Sequence, residues 1–443
     1  MKATAAELIR TWTEALAPVC NHSLSHARQE VKWLLKHSKH MAVGPSAPNT
    51  LAAHRLNQGE KTNGGTRRSG NRNGLSDKEI ELMQSFVDQR TKGRKPLQYI
   101  LGTQPFMDLE ILVRPPTLIP RWETEEWTSR LATILKSEPG LLQQSKNFSV
   151  LPLHHPLAFN ILDLCSGSGC ISLGLASALP SGSCNIIGVD IHPKAIELAR
   201  ENQLKNKQRL NQNRVLFREA DLQEPTAVDT FLGWLTEDLD GDPCDPKAVG
   251  AMQNNNASVS SPTATAKPQY RAGYNLVVSN PPYIAHSEYE TLEPEVALWE
   301  DPKALLADEE GLAFYPRIAN LAMEVLHRHE TSLLSRRINH SSQRPNSITV
   351  ADSEAKLDPG TLERIYVDDN DIGTSNGTDG HVAERQWRNS PDMDKVRIPE
   401  LVLEIGGDHQ VESVTEAVRR AGFRRVEVWK DLADRARCIV GAR

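Results

Sequence analysis

The chain reads as an α/β protein: a doubly wound, mostly parallel sheet preceded by a small helical domain. Three observations carry this. From about residue 158, short apolar runs alternate with segments of helical period, the pattern of parallel βαβ units. The first run empties into a small-residue loop, Asp163-Leu164-Cys165-Ser166-Gly167-Ser168-Gly169, that opens a helix. The last two runs, Val426–Trp429 and Cys438–Val440, have no helix between them and predict a closing antiparallel hairpin.

In chain order, residues 1–96 predict the helical domain. Ala5, Leu8, Ile9, Trp12 and Leu16 recur at helix spacing, as do Ala27, Val31 and Leu34. Ser76-Asp77-Lys78-Glu79 is a capping-box pattern that starts another helix through Arg90. Between them, about 44–73 is polar, without apolar period, and reads as a disordered insertion. Over 97–136 the expectation is a β element, Leu97–Gly102 with Leu109–Val113, then an extended Pro115–Arg121 linker and a helix from about Thr124 towards Lys136.

The sheet domain occupies 150–443. Its expected strands are Phe159–Leu164, Ile186–Ile191, Arg214–Ala220, Tyr274–Ser279, Leu401–Ile405 and the hairpin pair. The expected helices are Cys170–Leu179, Pro193–Asn206, Gly311–Arg328 and Val411–Ala421. Two further stretches, about 237–272 and 329–396, are Ser-, Asn- or Asp-rich and read as disordered insertions in loops.

Composition narrows the function classes. A net charge of -6 over 443 residues argues against a protein built mainly to grip nucleic-acid backbone. The six cysteines form no CxxC pair, so neither a zinc site nor a disulfide scaffold is expected; no metal is called for, and a reducing compartment fits best. No apolar run is long enough to span a bilayer, and Met1–Arg10 lacks a secretory core.

Asn280-Pro281-Pro282-Tyr283 is the most informative tetrapeptide. It follows an apolar strand-like run. Two prolines remove two backbone donors and hold the chain extended, so nearby carbonyls remain free acceptors. Asn-Pro is also ordinary turn punctuation. An acceptor-rich corner with an aromatic wall, however, suits a planar NH2 group: the Asn280 side-chain oxygen and Pro281 carbonyl accept one hydrogen each, and Tyr283 lies on the flat face.

The loop at Asp163–Gly169 lacks the spacing of a dinucleotide site, and its leading acid disfavours a pyrophosphate. An ammonium group is welcome there instead. Asp190 ends the next strand, placed for a ribose diol, with helix capping as its rival role. Asp221 ends the third, where a carboxylate can take an adenine amino hydrogen. A nucleoside with a cationic amino-acid tail is S-adenosyl-L-methionine. In a doubly wound sheet the strands before Cys165 and before Asn280 are neighbours, so loop and corner face one crevice. The chemistry expected is methyl transfer to an amide or amine nitrogen.

At these residues the chain resembles the HemK/PrmC family of protein-glutamine N5-methyltransferases. The matching stretches are Tyr99-Ile100-Leu101-Gly102 with Phe106, Leu118 to Glu125, Asp163 to Ala176, Gly188-Val189-Asp190, Ser279 to Ile284, Glu404-Ile405-Gly406, Ala421-Gly422-Phe423 and Asp431. The resemblance implies a class I S-adenosylmethionine-dependent methyltransferase fold with a seven-stranded sheet. It implies as substrate the glutamine of the Gly-Gly-Gln motif in a peptide chain release factor. Cofactor contacts would come from Asp163, Cys165, Ser166, Gly167, Ser168, Gly169, Asp190, Asp221, Leu222 and Asn280. Leu222 stands where an aromatic is common, and Cys165 where glycine is usual. Asn280, Pro281, Pro282, Tyr283 and Phe106 would hold the glutamine, with Asn280, Pro281 and Tyr283 catalytic.

The helical domain points to the form acting on bacterial-type or organellar release factors, and the long Ser/Asn-rich insertions suggest a eukaryotic chain; the resemblance then implies a mitochondrial location, with the cytoplasm as alternative. No direct nucleic-acid or membrane partner is expected. Two other readings remain open: a DNA or RNA base amino-methyltransferase using the same tetrapeptide, and a non-enzymatic cofactor-binding scaffold.

Overall fold

The computed structural model describes residues 4–43, 74–138, 141–142, 159–235, 273–326, 396 and 398–443. The three expected insertions lie outside the described residues, apart from Val396. Among the described residues no helix is long and apolar enough to cross a membrane.

The first domain packs α1 (Ala5–Leu16), α2 (Leu24–Val43) and α3 (Asp77–Thr91) around Trp12, Leu16, Val31, Leu34, Met83 and Phe86. Each such side chain contributes about 2 kcal/mol when buried. The capping box at Ser76 is present: its hydroxyl accepts from Glu79 N, while the Glu79 carboxylate takes the Ser76 N–H.

Residues expected as a strand over Leu97–Gly102 are instead a one-turn helix, α4 (Leu97–Leu101). Pro96 sits at its N-cap, where a missing N–H costs nothing. Gly102 closes it in the left-handed region at φ 77°, donating to Gln98 O at 2.7 Å. The β element follows as the hairpin β1 (Thr103–Phe106) and β2 (Leu109–Leu112). Glu125 Oε1, in the first turn of α5 (Trp122–Ser137), accepts from Met107 N at the hairpin turn at 2.9 Å.

The second domain is a seven-stranded sheet formed by β3 (Phe159–Leu164), β4 (Cys184–Asp190), β5 (Arg214–Glu219), β6 (Leu276–Ser279), β7 (Leu401–Glu404), β8 (Arg425–Lys430) and β9 (Ala436–Ala442). Its order is β5-β4-β3-β6-β7-β9-β8, parallel except for the closing hairpin, where β9 runs antiparallel to both neighbours. Successive residues face opposite sides, so Ile161, Leu276 and Val402 join one core and Leu162, Val277 and Leu401 the other. The first core is covered by α5, α6 (Cys170–Ala178) and α7 (Pro193–Asn206) with the hairpin. The second is covered by α8 (Ala227–Trp234) and the helices over 314–326 and Val411–Arg420.

The helix expected from Gly311 begins later, because Glu309, Glu310 and Gly311 all take positive φ and break the chain direction first. Residues 285–306 form an excursion of short helical turns that the sequence did not announce. It closes on Ile284, which donates to Leu305 O at 2.9 Å and accepts from Ala307 N at 3.0 Å. Arg90 of α3, 7% exposed, meets Glu295 of this excursion at 2.6 Å and Glu30 of α2 at 3.1 Å, and Trp299 Nε1 donates to Gly93 O. The helical domain is thus fastened to the segment that follows Tyr283.

Candidate active site

Strand register brings the two predicted motifs together. β3 and β6 are parallel neighbours with Leu164 opposite Ser279, and Ser279 Oγ donates to Leu164 O at 2.9 Å. Cys165 and Asn280 are the next residues on each strand, so loop and corner leave adjacent carboxyl ends of the sheet, as the topology predicts.

The loop is a backbone construction. Ser166 N donates to Val189 O and Gly169 N to Ser166 O, at 2.9 and 2.8 Å. Gly167 and Gly169 have φ of 53° and 79°. A Cβ on Gly169 would lie 2.6 Å from the Phe217 ring, so that position needs glycine for space as well as for conformation. Cys165 has φ 60°, a left-handed conformation that costs a non-glycine residue roughly 1–2 kcal/mol. Its half-buried side chain packs against the second core, and burial pushes its thiol well above the ordinary range.

Asp190 neither caps α7 nor stands free. Its Oδ2 accepts from Gly167 N at 2.8 Å and its Oδ1 from His192 N at 2.9 Å, while the His192 ring takes the capping role towards Lys194 N. The carboxylate therefore latches the loop to the end of β4 and retains lone pairs for further donors. Burial raises its pKa, opposed by these two N–H bonds.

Asp163 is fully buried beneath the loop. Its Oδ2 accepts from Ser172 N and Oγ at 3.1 and 2.6 Å, which pins α6 to the strand, and burial pushes the carboxyl up to about 7. The expected open contact with a ligand is thus replaced by an anchoring role for Oδ2. Oδ1 remains buried with no partner. Asp221 Oδ1 closes a local turn with Gln223 N at 2.8 Å. Leu222 is only 7% exposed and packs in the second core, so its side chain offers a ligand almost nothing; its carbonyl is taken by Arg317.

These residues fit S-adenosyl-L-methionine. Ser166 Oγ and Asp163 Oδ1 are buried polar atoms without partners at the loop, and the space that a Gly167 Cβ would enter is open. A buried orphan acceptor is costly unless something fills the role, and an ammonium or hydroxyl does so.

The corner is built from side chains. Asn280 Nδ2 donates to Thr124 Oγ1 at 3.3 Å; Thr124 Oγ1 donates to Glu404 Oε2 at 2.8 Å; Trp127 Nε1 donates to the same Oε2 at 2.7 Å. Thr124, Trp127 and Glu404 are almost wholly buried, at 2%, 3% and 2% exposure. Burial pushes the Glu404 carboxyl up to about 7 against the pull of those two donors. Pro281 and Pro282 are buried. Among the described residues nothing donates to the Pro281 carbonyl or to Asn280 Oδ1.

Tyr283 is held on both sides. Its carbonyl accepts from Gln410 Nε2 at 2.9 Å, and a Cβ on Gly311 would sit 2.2 Å from that oxygen. Its ring lies against Gly406, where a Cβ would be 3.0 Å away. Phe106 does not join them. It is wholly buried in the first core with its ring against Gly174 of α6, because it ends the hairpin strand that packs on that helix.

Sequence reasoning assigned no role to Thr124, Trp127 or Glu404. The available signal was an acid closing an apolar strand, Leu401-Val402-Leu403-Glu404: a buried carboxylate demands donors, and α5 supplies them. Arg121 likewise meets Glu300, whose side chain is 1% exposed, at 2.6 Å.

The fold is that of a class I methyltransferase, and a family model described as a methyltransferase domain matches residues 158–233. Within that class the likeness is to release factor glutamine methyltransferases. The protein of that name from Fusobacterium nucleatum is 30% identical over 298 residues, 66% of this chain and 65% of that one. The yeast mitochondrial MRF1 N(5)-glutamine methyltransferase is 38% identical over 141 residues, covering 31% of this chain and 40% of that one. The human MTRF1L release factor glutamine methyltransferase is 31% identical over 253 residues, 57% of this chain and 58% of that one. The chain spans less than two thirds of the length of each of these three relatives.

Proposed function

We propose that the chain transfers a methyl group from S-adenosyl-L-methionine to the side-chain amide nitrogen of the glutamine in the Gly-Gly-Gln motif of a peptide chain release factor. The observation that carries this reading is the pair of unengaged acceptors, Asn280 Oδ1 and the Pro281 carbonyl, beside the glycine loop. The substrate class is supported by the named relatives. A mitochondrial location is supported by the yeast relative's name.

The cofactor supplies an electrophilic methyl on sulfur. The chain's own residues prepare the nucleophile. An amide nitrogen is weakly nucleophilic because its lone pair is delocalised. Two acceptors that take its two hydrogens favour a more pyramidal nitrogen and stabilise the positive charge that develops there. Both effects grow towards the transition state, so they accelerate the step. Tyr283 and the two buried prolines fix the plane of approach, which supplies orientation. The amide proton leaves to water after transfer.

The test uses the full chain, methyl-labelled cofactor, and either a mitochondrial-type release factor, the same factor with its Gly-Gly-Gln glutamine replaced, or nucleic acid. Label only on the intact release factor is the expected result. Label on nucleic acid alone would select the base amino-methyltransferase, and no label with retained cofactor binding would select the scaffold.

A further inference from the structure

We infer that Thr124, anchored on Glu404, is a positioning residue that fixes which end of the Asn280 amide faces the substrate. This rests on the proposed reading that Asn280 accepts a hydrogen from the target amide. Asn has two ends of nearly the same shape. Only one orientation presents an acceptor to an incoming NH2; the other sets donor against donor.

The direction is set from the far end of the chain of bonds. The Trp127 indole N–H can only donate, and it ends on Glu404 Oε2 at 2.7 Å. That oxygen is thereby an acceptor, and the Thr124 hydroxyl, 2.8 Å away, donates its single hydrogen to it. A hydroxyl that has given its hydrogen can only accept from its other neighbour. The Asn280 group 3.3 Å from it is therefore the NH2, and Oδ1 takes the opposite side. The polarity survives protonation of Glu404 on its other oxygen. Glu123, Arg437, Tyr283, Tyr315, Cys170 and Cys438 also face this carboxyl electrostatically, and the order of the bonds holds while Oε2 itself carries no proton.

The sequence places the parts on three elements: Asn280 after β6, Thr124 and Trp127 one turn apart on α5, and Glu404 at the end of β7. Residues three apart on a helix share a face, so one carboxylate oxygen reaches both donors. Thr124 at 2% exposure is closed to water, which excludes a solvent molecule as substitute.

The experiment compares Thr124→Val with Thr124→Ser in the full chain. Valine keeps the shape and removes the hydroxyl; serine keeps the hydroxyl. Thr124→Val should lower kcat roughly ten- to hundredfold, less than the roughly 10²–10³-fold cost of removing a group that touches the reacting atoms, with cofactor affinity and the KM for release factor changed less than about threefold. Thr124→Ser should recover most of that loss. Independently of activity, the side-chain 15N–1H resonances of Asn280, assigned through Asn280→Ala, should shift in Thr124→Val and hold in Thr124→Ser.

Unchanged Asn280 resonances in Thr124→Val would overturn the inference, as would equal losses in both variants or a fall in cofactor affinity matching the fall in kcat. A wild-type chain that labels no release factor would refute the proposed function alone, since the resonances still decide the inference.

Discussion

The glycine loop and the Asn280 corner leave adjacent strands, yet they are made from different materials. The loop is backbone: N–H groups, positive φ at Cys165, Gly167 and Gly169, and one carboxylate, Asp190, tying it down. The corner is a line of side chains drawn from α5, β6 and β7. Backbone devices depend on local residues, so the loop tolerates changes elsewhere and fails at its glycines. A relay of side chains has the reverse sensitivity: a change at α5 or β7 reaches a group on a third element.

Variants that separate the two regions follow from this. Asn280→Ala should cost turnover roughly 10²–10³-fold, while cofactor affinity weakens far less. Equal losses in kcat and cofactor binding would assign Asn280 chiefly to the cofactor side. Gly169→Val forces a side chain to within 2.6 Å of the Phe217 ring in a left-handed backbone. It should lower stability by about 3 kcal/mol and weaken cofactor binding more than tenfold; calorimetric titration and urea unfolding check both, and an unaffected affinity would remove the loop from the cofactor site.

A smaller effect is expected from pH. Burial pushes the Asp163 carboxyl up to about 7, above its ordinary range. The folded chain then holds a proton that the unfolded chain releases near pH 4. The stabilising contribution is complete below that pH and is lost as pH rises to about 7. Urea midpoints should fall across this window, and Asp163→Asn should flatten the slope; an unchanged slope would mean that Asp163 is ionised in the fold. The smallest change is Cys165→Gly. Relief of left-handed strain, roughly 1–2 kcal/mol, offsets the entropy cost of glycine, about 0.5–1 kcal/mol. The melting temperature should rise slightly, and a drop would show that the thiol's packing outweighs the strain.

What the sequence disclosed divides along the same line. The alternation of strands and helices, the terminal hairpin, the capping box at α3 and the neighbouring of Cys165 and Asn280 were legible, because each rests on local period or on a topological rule. The one-turn helix at Leu97–Leu101 was not, since five residues carry too little period to outweigh their β-prone content. The excursion over 285–306 was hidden because its turns are four residues each and are held by partners far along the chain, Arg90 and Gly93 among them. Phe106 looked like a substrate wall by resemblance and is a core residue by packing. Thr124 and Glu404 stood within recognised stretches, but a hydrogen bond linking residues 280 positions apart has no local signature.

The most direct test of the account is transfer of labelled methyl from S-adenosyl-L-methionine by the full chain to a release factor, followed by mass spectrometry of the Gly-Gly-Gln peptide. The account predicts one methyl group on the glutamine side-chain nitrogen, formed roughly 10²–10³-fold more slowly by the Asn280→Ala enzyme. Label on any other residue, or transfer undiminished by that substitution, would contradict it.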